Sequence, residues 1–93
     1  MANKILTLHP EGKNGVNIDL GKYNLIKETI IDIVRSNGEI SYQEMNKMAI
    51  EELKYKFSGS IPWYVVTVKL DLEARGILER IPNTHPHRLR IRE

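Results

Sequence analysis

Apolar residues alternate with polar ones near both ends of the chain and recur every three or four positions through its middle, the periods of strand and helix respectively. Lys4 to His9 predicts a short strand stopped by Pro10, and Val16-Asn17-Ile18 a second one returning from the turn-rich residues Glu11 to Gly15. Pro10 and Gly12 make that connection longer than a two-residue hairpin turn. From about Leu20, the series Tyr23, Ile26, Ile30, Ile33 and Val34 defines a first helix, with Asp19 as its N-cap and Asn37-Gly38 as its stop. Ser41-Tyr42-Gln43-Glu44 is a capping box flanked by the staple pair Ile40 and Met45, which starts a second helix of about Ser41 to Phe57. Ser58-Gly59-Ser60 ends it. Ser60 then caps a third helix, Ile61 to Arg75, whose first turn tolerates Pro62 and whose left-handed terminator is Gly76. Ile77 to Ile81 and Arg88 to Arg92 read as strands joined by the loop from Pro82 to His87, so the chain finishes in a hairpin.

The expected class is therefore α+β in a single domain of residues 1–93: an N-terminal strand or hairpin segment (1–19), three helices (20–76) and a hairpin (77–92). Two helices joined by a short Gly-containing turn, with a hairpin directly after the second, make a helix-turn-helix followed by a wing. From Leu20 to Arg92 the chain resembles the winged helix-turn-helix superfamily, most visibly in Leu72-Glu73-Ala74-Arg75-Gly76-Ile77-Leu78, where the third helix gives way to the wing. More narrowly, Gly15 to Asp19, Gly38 to Ser41 and Trp63 to Gly76 are similar to a family of small uncharacterised bacterial proteins, a likeness that supplies no activity. The superfamily resemblance implies binding of double-stranded DNA, with the third helix in the major groove and the hairpin on the backbone or minor groove. Winged helices also serve as dimerisation and docking modules, so the residues themselves must choose.

At 100° per residue, Val65, Val68 and Leu72 fall within about 40° of Ile61 and form the core-facing stripe of the third helix. The opposite side carries Trp63, Val66, Thr67, Leu70 and Ala74, where a base-reading helix would present Arg, Lys, Asn, Gln or Ser. Tyr64, Asp71 and Arg75 separate the two faces on one flank, and Lys69 and Glu73 on the other. Such a second apolar face must be covered or used. Three occupants are open: the N-terminal segment through Ile5, Leu6, Leu8, Val16 and Ile18; a homodimer or other protein partner gripping Trp63, Val66 and Leu70; or DNA bases reached by Thr67 and Tyr64.

Charge changes the picture only through its position. The formal excess is +2. Residues 1–75 hold ten basic and ten acidic side chains, so the excess lies wholly in Arg80, Arg88, Arg90 and Arg92 against Glu79 and Glu93. Pairing Ile81 with Leu89 would put Ile77, Ile81, Leu89 and Ile91 on one face and all four arginines with Leu78 on the other. That face could hold phosphates, weakly and with strong salt dependence, or be a solvated surface with local ion partners. Placing Ile81 opposite Arg88 instead sets Glu79 against Arg90 and mixes the faces, so the register that pairs Ile81 with Leu89 is the one expected. The first expectation is a DNA-binding regulator or accessory factor using these arginines, and the alternative a protein-interaction or homodimerisation module using the apolar face of the third helix.

The remaining chemistry is sparse. The chain has no cysteine, which excludes disulfides and thiolate nucleophiles. His85 and His87 flank Pro86 without an evident third ligand, so no metal is expected. Gly12-Lys13-Asn14-Gly15 lacks the glycine spacing and Lys-Ser/Thr ending of a phosphate loop. No serine, histidine and carboxylate stand in a nucleophile-and-base arrangement, so neither an enzyme nor a cofactor is expected. No apolar run approaches the roughly 18 residues of a membrane span and no secretory leader is evident, giving the expectation of a cytoplasmic protein without a membrane partner.

Overall fold

A computed structural model describes residues 3–93, so positions 1 and 2 of the expected N-terminal segment lie outside the described residues. The elements are β1 (Lys4–Leu6), β2 (Asn17–Asp19), α1 (Leu20–Asn37), β3 (Glu39–Ser41), α2 (Tyr42–Leu53), α3 (Ile61–Ala74), β4 (Leu78–Ile81) and β5 (Arg88–Ile91). The α+β layout expected from the sequence is present: an N-terminal strand pair, three helices and a C-terminal antiparallel strand pair.

The helix ends form where local chemistry puts them. Asp19 accepts from Lys22 N at 2.9 Å and Ser60 Oγ from Trp63 N at 3.4 Å, each satisfying an amide of a first turn. Ser41 Oγ accepts from Glu44 N at 3.1 Å, but only this half of the capping box is made, because Ser41 itself sits in a strand ladder opposite Arg88. At the end of α3, Ile77 N donates to Leu72 O and Gly76 N to Glu73 O, the paired bonds of a Schellman motif with Gly76 at φ 76°. α2 stops at Leu53 rather than Phe57. Past it the chain tightens into a turn, with Lys56 N bonded to Leu53 O, and Phe57 packs edge-on against Tyr64 at 4.9 Å.

The core is one cluster drawn from every layer. Ile26, Ile30 and Val34 of α1, Met45, Ala49 and Leu53 of α2, and Val65, Val68 and Leu72 of α3 are all fully buried, and Ile61 is nearly so. The stripe expected on α3 is therefore the stripe that packs. Ile40 of β3 joins Leu78 and Leu89 beneath the sheet.

Two features of the C-terminal sheet differ from expectation. It has three strands in the order β3-β5-β4, because Glu39–Ser41 pairs with β5 and makes β5 central. The hairpin also takes the other register: Ile81 faces Arg88, Arg80 faces Leu89, Glu79 faces Arg90 and Leu78 faces Ile91. Leu78 is thus buried rather than grouped with the arginines, and Ile81 shares the outer face with Arg88 and Arg90. Thr84 explains the choice: its hydroxyl donates to Ile81 O at 2.8 Å and accepts from Arg88 N at 3.0 Å, which clamps those two residues opposite each other. Across the outer face the same register aligns Glu39, Arg90 and Glu79 in one row of alternating charge.

The register has a direct energetic consequence. Leu78→Ala removes a fully buried side chain and is expected to cost about 2–5 kcal/mol, whereas Ile81→Ala costs less than about 1.5 kcal/mol. Urea unfolding of the two variants checks this, since pairing Ile81 with Leu89 would reverse their order.

Candidate functional site: the outer face of helix α3

The N-terminal residues form an arm whose strands pack on α1 and whose connecting segment, from Thr7 to Val16, reaches α3. β1 and β2 pair with Ile5 opposite Ile18, and Ile18 is buried in the core. Beyond the strands the arm continues through Thr7, whose amide donates to Val16 O at 2.9 Å and whose hydroxyl accepts from Val16 N at 3.0 Å. The two limbs run so close here that a Cβ on Gly15 would come within 1.6 Å of Thr7 O, a position only glycine can fill.

The arm is held by a buried carboxylate. Asp71 has no exposed surface, and it accepts from Leu8 N at 2.8 Å, from the Tyr23 hydroxyl, and from Arg75 Nε at 2.9 and 3.0 Å. One side chain of α3 thereby joins the arm, α1 and its own helix end. Burial, and then the hydrogen bond and charge of Asp71, push the Tyr23 hydroxyl up to about 12.

Cover of the second α3 face is partial. Ile5 and Ile18 turn inward, but Leu6, Leu8 and Val16 remain 56%, 44% and 40% exposed, and Trp63 44%. Between arm and helix lies a crevice of about 150 Å³ lined by Leu8, His9, Val16, Trp63, Thr67 and Leu70 among others. Val66, Thr67 and Leu70 are half-buried. Trp63 stands edge-to-face on Tyr64 at 5.0 Å, Tyr64 meets Phe57 in the same way, and Lys22 Nζ lies 5.4 Å from the Tyr64 ring. Tyr64 is thus part of an aromatic row, apart from Thr67 in role.

The other flank of α3 is also charged and closed, which periodicity alone did not reveal. Lys69 is only 2% exposed and meets Glu73 Oε2 at 3.0 Å, while Arg80 Nε approaches Glu73 Oε1 at 2.6 Å. The ring of Tyr42 lies 5.0 Å from Lys69 Nζ and stacks on His87 at 5.6 Å. Burial, with Lys69 and Arg80 nearby, lowers the His87 pKa; burial also lowers that of Lys69, against the pull of Glu73. This cluster fastens the hairpin to α3 and α2. His85 is exposed, and among the described residues no three potential ligands gather around a metal position.

The four arginines do not share one face. Arg88 binds Glu39 at 3.0 Å and Arg90 binds Glu79 at 2.7 Å on the outer side, whereas Arg80 reaches back to Glu73 on α3. Arg92 makes no ion pair among the described residues, and its guanidinium lies beside Gly76. The expected separation of arginines from apolar residues fails for the same reason the expected register does.

The Asp71 centre makes a testable demand on alkaline stability. Tyr23 is protonated in the folded chain beyond the pH at which it ionises when unfolded, so its contribution is complete below about pH 10 and is lost as pH rises towards about 12. Urea midpoints followed from pH 9 to pH 11 should fall less steeply in Tyr23→Phe than in the wild type, and equal slopes would refute the assignment.

The described residues include no helix long and apolar enough to cross a membrane. Neither a curated protein nor a solved structure matches the chain. Residues 4–89, which span the arm, all three helices and most of the hairpin, match a family of unknown function, DUF6958, and the chain belongs to that family.

Proposed function

We propose that the chain is a winged helix-turn-helix domain used as a self-association module, forming a homodimer through the outer face of α3 and the N-terminal arm. The winged-helix reading is supported by a helix pair leading directly into a hairpin, and by the short strand between α1 and α2 that pairs with the last strand. The observation that carries the interaction reading is the gathering of exposed apolar side chains. Leu6, Leu8, Val16 and Trp63 make up most of the large hydrophobic residues exposed among the described positions, and three of these four line one crevice.

A second copy is the occupant that this surface suits. A two-fold interface sets a surface against itself, so any charge at its centre meets its like. The crevice lining carries no Asp, Glu, Lys or Arg, which removes that penalty. Trp63, large and half-exposed, is the type of side chain that anchors interfaces. DNA is the weaker reading, because three wing arginines are already matched to Glu73, Glu39 and Glu79, and the arm stands beside the face that would enter a groove.

Sedimentation velocity between roughly 5 and 500 μM, a range set by ordinary dimer affinities, should show a monomer–dimer equilibrium. Trp63 is the sole tryptophan, so its emission should shift to the blue as dimer forms. Trp63→Arg and Val16→Arg should each leave a folded monomer. A monomer at every concentration would overturn the proposal, and a salt-sensitive complex with duplex DNA that is lost in Arg92→Glu would restore the DNA reading.

A further inference from the structure

A second apolar depression lies elsewhere, between the C-terminal half of α1 and that of α2, and shares no lining residue with the crevice at Trp63. It encloses about 430 Å³. Ile33 and Met48 supply its apolar lining, and Met48 is 41% exposed. Asp32, Glu51 and Glu52 supply three carboxylates, with no Lys or Arg in the lining. Lys54 reaches Glu51 at 2.7 Å, while Asp32 and Glu52 make no ion pair among the described residues. Met48 and Glu52 stand one turn apart on α2, so apolar and acidic groups present to the same side.

From this juxtaposition we propose that the α1–α2 groove docks a basic amphipathic helix of a partner protein. Its apolar side chains would contact Ile33 and Met48, and its lysines or arginines would meet Asp32, Glu51 and Glu52. Helices seat in apolar grooves by residues one turn apart, and α1 rises about 7.5 Å from Asp32 to Asn37, room for two such anchors. An unbranched methionine adapts to side chains of different shape. The carboxylates select a cationic segment and reject an acidic one. They also oppose a symmetric pairing of two copies through this groove, because Asp32, Glu51 and Glu52 would face their own kind.

The test uses the full chain, isotope-labelled, with three synthetic peptides of roughly 14 residues, long enough for several helical turns. One is a leucine–lysine amphipathic helix, one has the same composition with leucines scattered over all faces, and one carries glutamate in place of lysine. The first should shift resonances of Ile33, Ser36, Met48 and Glu52, and its affinity should fall at least about tenfold between about 50 and about 500 mM salt. Met48→Lys and, independently, Glu52→Lys should each weaken it about tenfold or more, with unchanged circular dichroism. Both positions are exposed, so folding should survive. No binding at millimolar peptide, equal binding of the glutamate or scattered peptide, shifts confined to another face, or undiminished affinity in both variants would each overturn the proposal. Loss of self-association in Met48→Lys would instead assign the groove to a second copy and equally overturn it.

Discussion

The arrangement of the whole N-terminal half turns on the carboxylate of Asp71. A fully buried carboxylate is costly to desolvate, and it is tolerated only when charge and hydrogen bonds replace the lost water. Here Leu8 N, the Tyr23 hydroxyl and Arg75 Nε supply those bonds from three different elements. Removing any one leaves part of a buried charge unmatched, so the arm, α1 and α3 hold one another in place through a shared demand. Because the arm is fixed this way, Leu8 and Val16 line a crevice with Trp63 while all three stay partly exposed. The exposed apolar surface beside Trp63 is a by-product of where that carboxylate finds its partners.

A similar device closes the opposite flank. Lys69 and the Glu73 carboxylate are buried and met by the half-exposed Arg80, Lys69 Nζ lies over the Tyr42 ring, and His87 stacks on that ring. α3 is therefore enclosed on three sides: the core stripe below, an acid-centred contact with the arm on one flank and an ion cluster with the hairpin on the other. A helix apolar on two faces, with its charges between them, is built for that position. Its charged residues act as fastenings to neighbours, and a solvated recognition surface would need them free.

Much of this was legible in the sequence where the determinants are local. Asp19, Ser41, Ser60 and Gly76 mark helix ends by their own side chains or backbone freedom, and Ile61, Val65, Val68 and Leu72 declare the packed stripe by spacing. What escaped depends on residues far apart in the chain. β3 is three residues long, and nothing in Glu39-Ile40-Ser41 announces a partner at Arg88 to Arg90. The hairpin register follows from one hydroxyl, that of Thr84, which outweighs the simple rule of separating apolar from charged faces. Lys69 and Asp71 sit at the boundaries of the helical wheel, where spacing is silent about whether water or another element lies beyond. Periodicity locates a face; only topology supplies its neighbour.

The same distinction governs charge. The excess of positive residues after Arg75 is real in the sequence, yet Glu39 and Glu73, from the balanced part of the chain, fold back to meet Arg88 and Arg80. A count by segment therefore overstates the positive field of the hairpin, while Asp32 and Glu52 beside Met48 make no ion pair among the described residues. An uncharged patch can pair with itself, whereas an acidic groove requires something unlike itself. The two surfaces share no lining residue, so a chain paired through Trp63 would still present its α1–α2 groove, one on each copy, to a cationic partner. Two-fold pairing would then double the valency of the acidic site, strengthening the capture of any partner that carries two basic segments at a matching separation.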